Sequence, residues 1–134
     1  MRFLLDTNVV SRLVRDPHGH LVDRVREVGD TEVCTSIIVA AELRYGAAKR
    51  GSARLTAQLE TVLAVIDVLP FEPPADRVYG RLRTELERIG RPIGGNDLLI
   101  AAQAVALGHT VVTDNAREFA RIDGLTCENW LRGG

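Results

Sequence analysis

Residues 97–114 read DLLIAAQAVALGHTVVTD, and their reading decides the fold. Leu98 to Leu107 is almost unbroken apolar sequence with helical character, Gly108 is its stop, and TVVT at 110–113 is a short run of β-branched residues. A helix that feeds directly into an apolar strand is the repeating unit of a parallel sheet, whose strands are covered on both faces. The same alternation extends outward in both directions. RFLL at 2–5 predicts a first strand, followed by a helix with Thr7 as its N-cap and Val9, Val10, Leu13 and Val14 on one face. A second helix is predicted over Leu21–Val28, ending at Gly29, then a strand over Val33–Thr35. Ser36 caps a helix through Ala48 that Gly51 closes, and Leu55, Leu59, Val62 and Leu63 mark another helical face. Ile66–Leu69 predicts a third strand, and Pro73 and Pro74 open a helix carrying Val78, Leu82 and Leu86 that ends near Gly90. Leu125–Cys127 predicts a last edge strand. The expectation is an α/β layered fold around a mostly parallel sheet.

The 134 residues fit a single domain over residues 1–134, and 46% apolar content is enough to build one core. Seventeen basic residues against 18 acidic ones exclude nucleic-acid binding through bulk positive charge, though not through a local patch. The longest apolar runs, Ile37–Ala41 and Leu98–Ala102, are far short of a membrane span, and Asp6 interrupts any signal-peptide core. Cys34 and Cys127 lie far apart and form neither a disulfide framework nor a CxxC metal site. A soluble, reduced, cytoplasmic protein is expected.

Four acids fall where acids are rare. Asp6 ends the first predicted strand, Glu42 sits inside IIVAAEL, Asp97 opens the apolar helix, and Asp114 follows TVVT. Each has an ordinary alternative: Asp6 a helix cap, Asp97 a first-turn acid, Asp114 a turn with Asn115. Glu42 resists such an explanation, because an acid on an apolar helix face rarely stays buried without a partner. In an open parallel sheet the C-terminal strand ends converge on one crevice, which would gather these carboxylates. Several like charges within a few Å require protonation or a cation, and an all-oxygen set suits Mg²⁺ or Mn²⁺ rather than Zn²⁺. His18, His20 and His109 have no zinc-like spacing. Carboxylates that hold Mg²⁺ are a standard apparatus for phosphodiester hydrolysis.

LLDTN at 4–8, AELRYGA at 41–47, GGNDLLIAA at 94–102 and VVTDNAREF at 111–119, in this order and spacing, resemble the PIN-domain family, specifically its VapC-type ribonuclease toxins. The resemblance covers essentially the whole chain. It implies a PIN-like three-layer α/β fold, with a central sheet of four to five short strands flanked by helices. It implies an Mg²⁺-dependent endoribonuclease, with Mn²⁺ as a second candidate, whose metal-site acids are Asp6, Glu42 and Asp97. The fourth position falls on Asp114 or Asn115, and Asn8 and Thr113 are expected to support the acids by hydrogen bonds. A homodimer, a VapB-type antitoxin partner and an RNA substrate are implied as well. IDGLTCENW at 122–130 resembles the tail of a subgroup that cuts tRNA. Arg44, Arg81, Arg83, Arg88 and Arg91 are candidate phosphate contacts. The competing expectation is a PIN-fold binding protein with impaired catalysis, which Asn115 keeps open. A haloacid-dehalogenase-type phosphotransferase fails because position 8 is Asn and no lysine follows Lys49.

Overall fold

Two strands distant in sequence form the centre of the molecule. In a computed structural model describing residues 2–131, β1 (Phe3–Leu5) lies parallel to β4 (Thr110–Val112), pairing Phe3 with Thr110, Leu4 with Val111 and Leu5 with Val112. On its other edge β1 pairs with β2 (Val33–Ser36), and β2 pairs with β3 (Asp67–Leu69). Strand β5 (Cys127–Glu128) adds to the outer edge of β4, which gives the order β3-β2-β1-β4-β5 with every pairing parallel. Leu4, Leu5, Val111 and Val112 are fully buried, as strands covered on both faces must be. Each such aliphatic side chain contributes about 1.5–3 kcal/mol by leaving water.

The connections are helical. After β1 come α1 (Thr7–Arg15) and α2 (His20–Val28). Helices α3 (Ile37–Arg50) and α4 (Ala53–Val65) join β2 to β3. Between β3 and β4 lie α5 (Ala75–Arg88) and α6 (Gly95–Leu107), and α7 (Ala116–Phe119) follows β4. Helices α1, α3 and α4 pack against one another, α5 packs along α6, and the buried apolar side chains form one connected core. Ser36 caps α3 by accepting a hydrogen bond from the Ile38 amide at 3.0 Å. Gly108 ends α6 in the left-handed region at φ 71°, a conformation that a β-carbon would penalise.

The three-layer α/β fold is as expected, and the sheet is parallel throughout rather than mostly so. Three details differ. The N-cap of α1 is Asp6, whose Oδ1 accepts from the Thr7 amide at 2.8 Å; Thr7 is the first helical residue. The last strand is Cys127–Glu128 instead of Leu125–Cys127, because its place is set by pairing of Cys127 with Val111 and Glu128 with Val112. The bend expected at Asp114 and Asn115 is present and leads straight into a short helix, α7, that the sequence reading did not include.

This topology positions a site. From β1 the chain steps outward through β2 to β3, then returns to the opposite side of β1 for β4. The strand order therefore reverses between β1 and β4, and an open α/β sheet forms its ligand crevice at the carboxyl ends of the strands at such a point.

Candidate active site

Asp6 stands at that reversal. It is 2% exposed, and both carboxylate oxygens are occupied: Oδ1 by the Thr7 amide and Oδ2 by the Thr113 hydroxyl at 2.7 Å. Its own amide donates to the Val112 carbonyl at 2.9 Å, which locks the end of β1 to the end of β4. Burial pushes its carboxyl above the usual carboxylate value; the bonds from Thr113 and Thr7 oppose this, while the charges of Glu42 and Glu118 add to it.

Three more acids surround Asp6. Glu42 projects from α3 and accepts a 3.0 Å hydrogen bond at Oε1 from the Thr7 hydroxyl. Asp97, in the first turn of α6, accepts at Oδ2 from the Asn115 amide group at 3.3 Å. The same Asn115 nitrogen donates to Glu118 Oε2 at 2.9 Å, and Glu118 Oε1 accepts from the Gly94 amide at the start of α6 at 3.0 Å. Thr113 completes the chain of contacts, because its hydroxyl oxygen also accepts from the Asn115 backbone amide at 2.9 Å. Two neutral donors thus tie four carboxylates in pairs: Thr7 joins Asp6 to Glu42, and Asn115 joins Asp97 to Glu118.

The electrostatics follow from this crowding. Burial is the main cause that raises the Asp97 carboxyl to about 6, followed by repulsion from Asp6, Glu118 and Glu42, with the Asn115 hydrogen bond acting the other way. Glu118 is held below the usual value, first by the Asn115 hydrogen bond. Among the described residues no basic side chain forms an ion pair with Asp6 or Asp97. The donors are all oxygens, so the chemistry of the set fits a hard divalent cation. Among the described residues no three His, Cys, Asp or Glu side chains converge tightly enough to enclose an ion.

Of the residues singled out in the sequence, Asp6, Glu42, Asp97, Thr113 and Asn115 meet here. Asn8 adjoins them, its Oδ1 accepting from the Asp114 amide at 3.1 Å. The Asp114 carboxylate is exposed and accepts from Asn129 at 3.3 Å. Glu118 was not singled out, and Thr7 was read only as a helix cap. The available signal for Glu118 was the Asn-x-x-Glu spacing from Asn115, which resembles a helix start with an acid at its third position.

A five-stranded parallel sheet with acids at its reversal point defines a class, and comparison with known families assigns it. The PIN domain model matches residues 3–125, and the chain belongs to the PIN-domain family, within its VapC branch. Ribonuclease VapC2 of Rickettsia felis is 38% identical over 132 residues, covering 97% of this chain and 98% of that protein. The tRNA(fMet)-specific endonuclease VapC of Shigella flexneri is 36% identical over 131 residues, with coverage of 97% and 98%. Among solved structures, VapBC2 from Rickettsia felis bound to a promoter DNA fragment superposes with a TM-score of 0.89 at 36% identity, covering 97% of this chain and 99% of that one. DNA-bound VapBC from Salmonella typhimurium gives 0.86 at 35% identity, covering 97% and 98%.

Proposed function

We propose that this protein is the toxin of a VapB–VapC-type pair, a divalent-metal-dependent endoribonuclease that acts on tRNA in the cytoplasm as a homodimer and is neutralised by a VapB-type antitoxin. The observation that carries this reading is the set of four carboxylates, Asp6, Glu42, Asp97 and Glu118, gathered at the sheet's reversal point with no ion pair to a basic side chain among the described residues. The names of the relatives support RNA, and tRNA in particular, as the substrate. The solved VapBC complexes support the antitoxin. Among the described residues no helix is long and apolar enough to cross a membrane.

Asp6 and Asp97 are the residues we assign to hold Mg²⁺, or Mn²⁺, with Glu42 and Glu118 completing the site. The ion supplies Lewis-acid charge for the phosphate and for an attacking water. The chain's own contribution is orientation. Thr113 and the Thr7 amide fix both oxygens of Asp6, Thr7 fixes Glu42, and Asn115 fixes Asp97 and Glu118. Asn8 holds the loop after β4 in register with α1 through the Asp114 amide. With water as nucleophile, in-line displacement of the 3′-oxygen leaves 5′-phosphate and 3′-hydroxyl ends.

The test is incubation of the purified protein with total tRNA, with Mg²⁺ or with EDTA, and then mapping of the ends. Discrete Mg²⁺-dependent cuts that disappear in Asp97→Asn are expected. Products with 2′,3′-cyclic phosphate, or an Asp97→Asn variant of undiminished activity, would overturn the mechanism.

A further inference from the structure

The groove between α1, α3 and α4 begins at the acidic site and ends in two arginines. Its volume is about 470 Å³, open to solvent, and its lining includes Glu42, Gly46, Arg15, Arg50, Leu55 and Leu59. Glu42 belongs to the groove wall and also accepts from Thr7, so the groove opens directly onto the carboxylates. Arg15 lies eight residues beyond Thr7 on α1, and Arg50 lies eight residues beyond Glu42 on α3. Both helices start from the carboxyl end of the sheet and run the same way, so each arginine stands about 12 Å farther along its helix than the site residue it follows. The groove is therefore negative at one end and positive at the other.

Neither arginine makes an ion pair or side-chain hydrogen bond among the described residues, whereas three of the five arginines singled out in the sequence do. Arg44 is fixed to Glu60 at 2.9 Å, Arg81 lies 3.7 Å from Glu85, and Arg83 lies 3.0 Å from Glu87. Guanidinium groups with free donors match phosphate oxygens in a bidentate way. The groove floor is also open at Gly46, where a β-carbon would meet nothing within 4 Å.

We propose that this groove carries the RNA strand away from the cleavage site, with Arg15 and Arg50 gripping phosphates roughly two helical turns from the scissile bond. The assignment rests on the ribonuclease reading above. The half-buried apolar flank at Leu55 accepts ribose and base faces, while the arginines give the strand its direction. Charge complementarity selects the occupant: the far end attracts a polyanion, and the near end tolerates one only with a cation present.

The experiment uses the full chain with total tRNA, and compares wild type with the double variant Arg15→Ala/Arg50→Ala and with Gly46→Leu. The last fills the groove without changing charge, and circular dichroism verifies folding of each. Cleavage is measured across a salt series, and binding of fluorescein-labelled tRNA is measured by anisotropy in an Asp97→Asn background so that the RNA survives. For the double variant we expect KM to rise about tenfold, kcat to stay within about twofold, and the slope of log affinity against log salt to shrink by about 1.4, the value for two phosphate contacts on a single strand. Gly46→Leu should raise KM similarly while leaving the salt slope unchanged. Unaltered KM and salt slope in an enzyme that cuts tRNA would overturn the groove assignment and leave the ribonuclease reading standing. Arginine-dependent binding without cleavage would keep the groove and remove the nuclease. Loss of binding to an antitoxin C-terminal peptide, with RNA kinetics unchanged, would make the groove a peptide cradle and overturn the proposal.

Discussion

Thr7 shows how much of a site can depend on one small side chain. Its amide holds Asp6, its hydroxyl holds Glu42, and it occupies the first position of α1, so its backbone geometry is set by the helix. Thr7→Val keeps the shape and the amide bond but removes the hydroxyl, freeing Glu42 to rotate. A tenfold fall in kcat with little change in melting temperature is the expected result, and Thr7→Ser should restore most of the rate. Equal activity in the valine variant would show that Glu42 is oriented by other contacts. At this scale the sequence was largely readable: Asp6, Glu42 and Asp97 stand out because acids are improbable among their apolar neighbours. Glu118 did not stand out, because AREF is polar enough to be an ordinary exposed turn. It meets Asp97 through the Asn115 side chain and by direct repulsion, and the approach of α7 to the start of α6 is a tertiary arrangement that local spacing does not encode.

Among the elements, the last strand is the least self-sufficient. Strand β5 has two residues and is anchored by the tail at Trp130. Trp130 is 5% exposed, with its ring 5.2 Å from Phe3 and the Arg24 guanidinium 5.3 Å above it. Its indole nitrogen donates to Glu128 at 2.9 Å, and His20 contacts its carbonyl at 3.2 Å. Trp130→Ala removes this anchor at a cost of about 3–5 kcal/mol. In thermal unfolding that corresponds to a fall of roughly 10 °C or more, and a drop under about 3 °C would show that the tail is only loosely held. The long amphipathic helices and the strands RFLL and TVVT were legible from periodicity and β-branching. The position of β5 was not, since a two-residue strand takes its register from its neighbour rather than from its own pattern.

For the molecule as a whole, the site is a burden on stability. The Asp97 carboxyl titrates near 6 when folded and near 3.8 when unfolded, so between those values the native state binds the extra proton. Its contribution is most favourable below about 4 and is lost as pH rises through 6. At pH 7 the penalty, reduced for solvent screening, is about 1–2 kcal/mol. Asp97→Asn should therefore melt higher than wild type at pH 7, with the gap closing towards pH 4; a gap independent of pH would refute the electrostatic account. A divalent cation should act in the same direction: at one hundred times its dissociation constant it adds about 2.7 kcal/mol, and the gain should disappear with Asp97→Asn.

The hydrogen bond from Thr113 to Asp6 spans 107 positions of sequence. A growing chain that has not yet delivered α6, β4 and α7 has Asp6 and Glu42 but neither Asp97 nor Glu118, and its central strand lacks one neighbour. A chain that stops before α7 therefore cannot bring the four acids together. The order of residues along the chain thus keeps the four acids from meeting until α7 has been made.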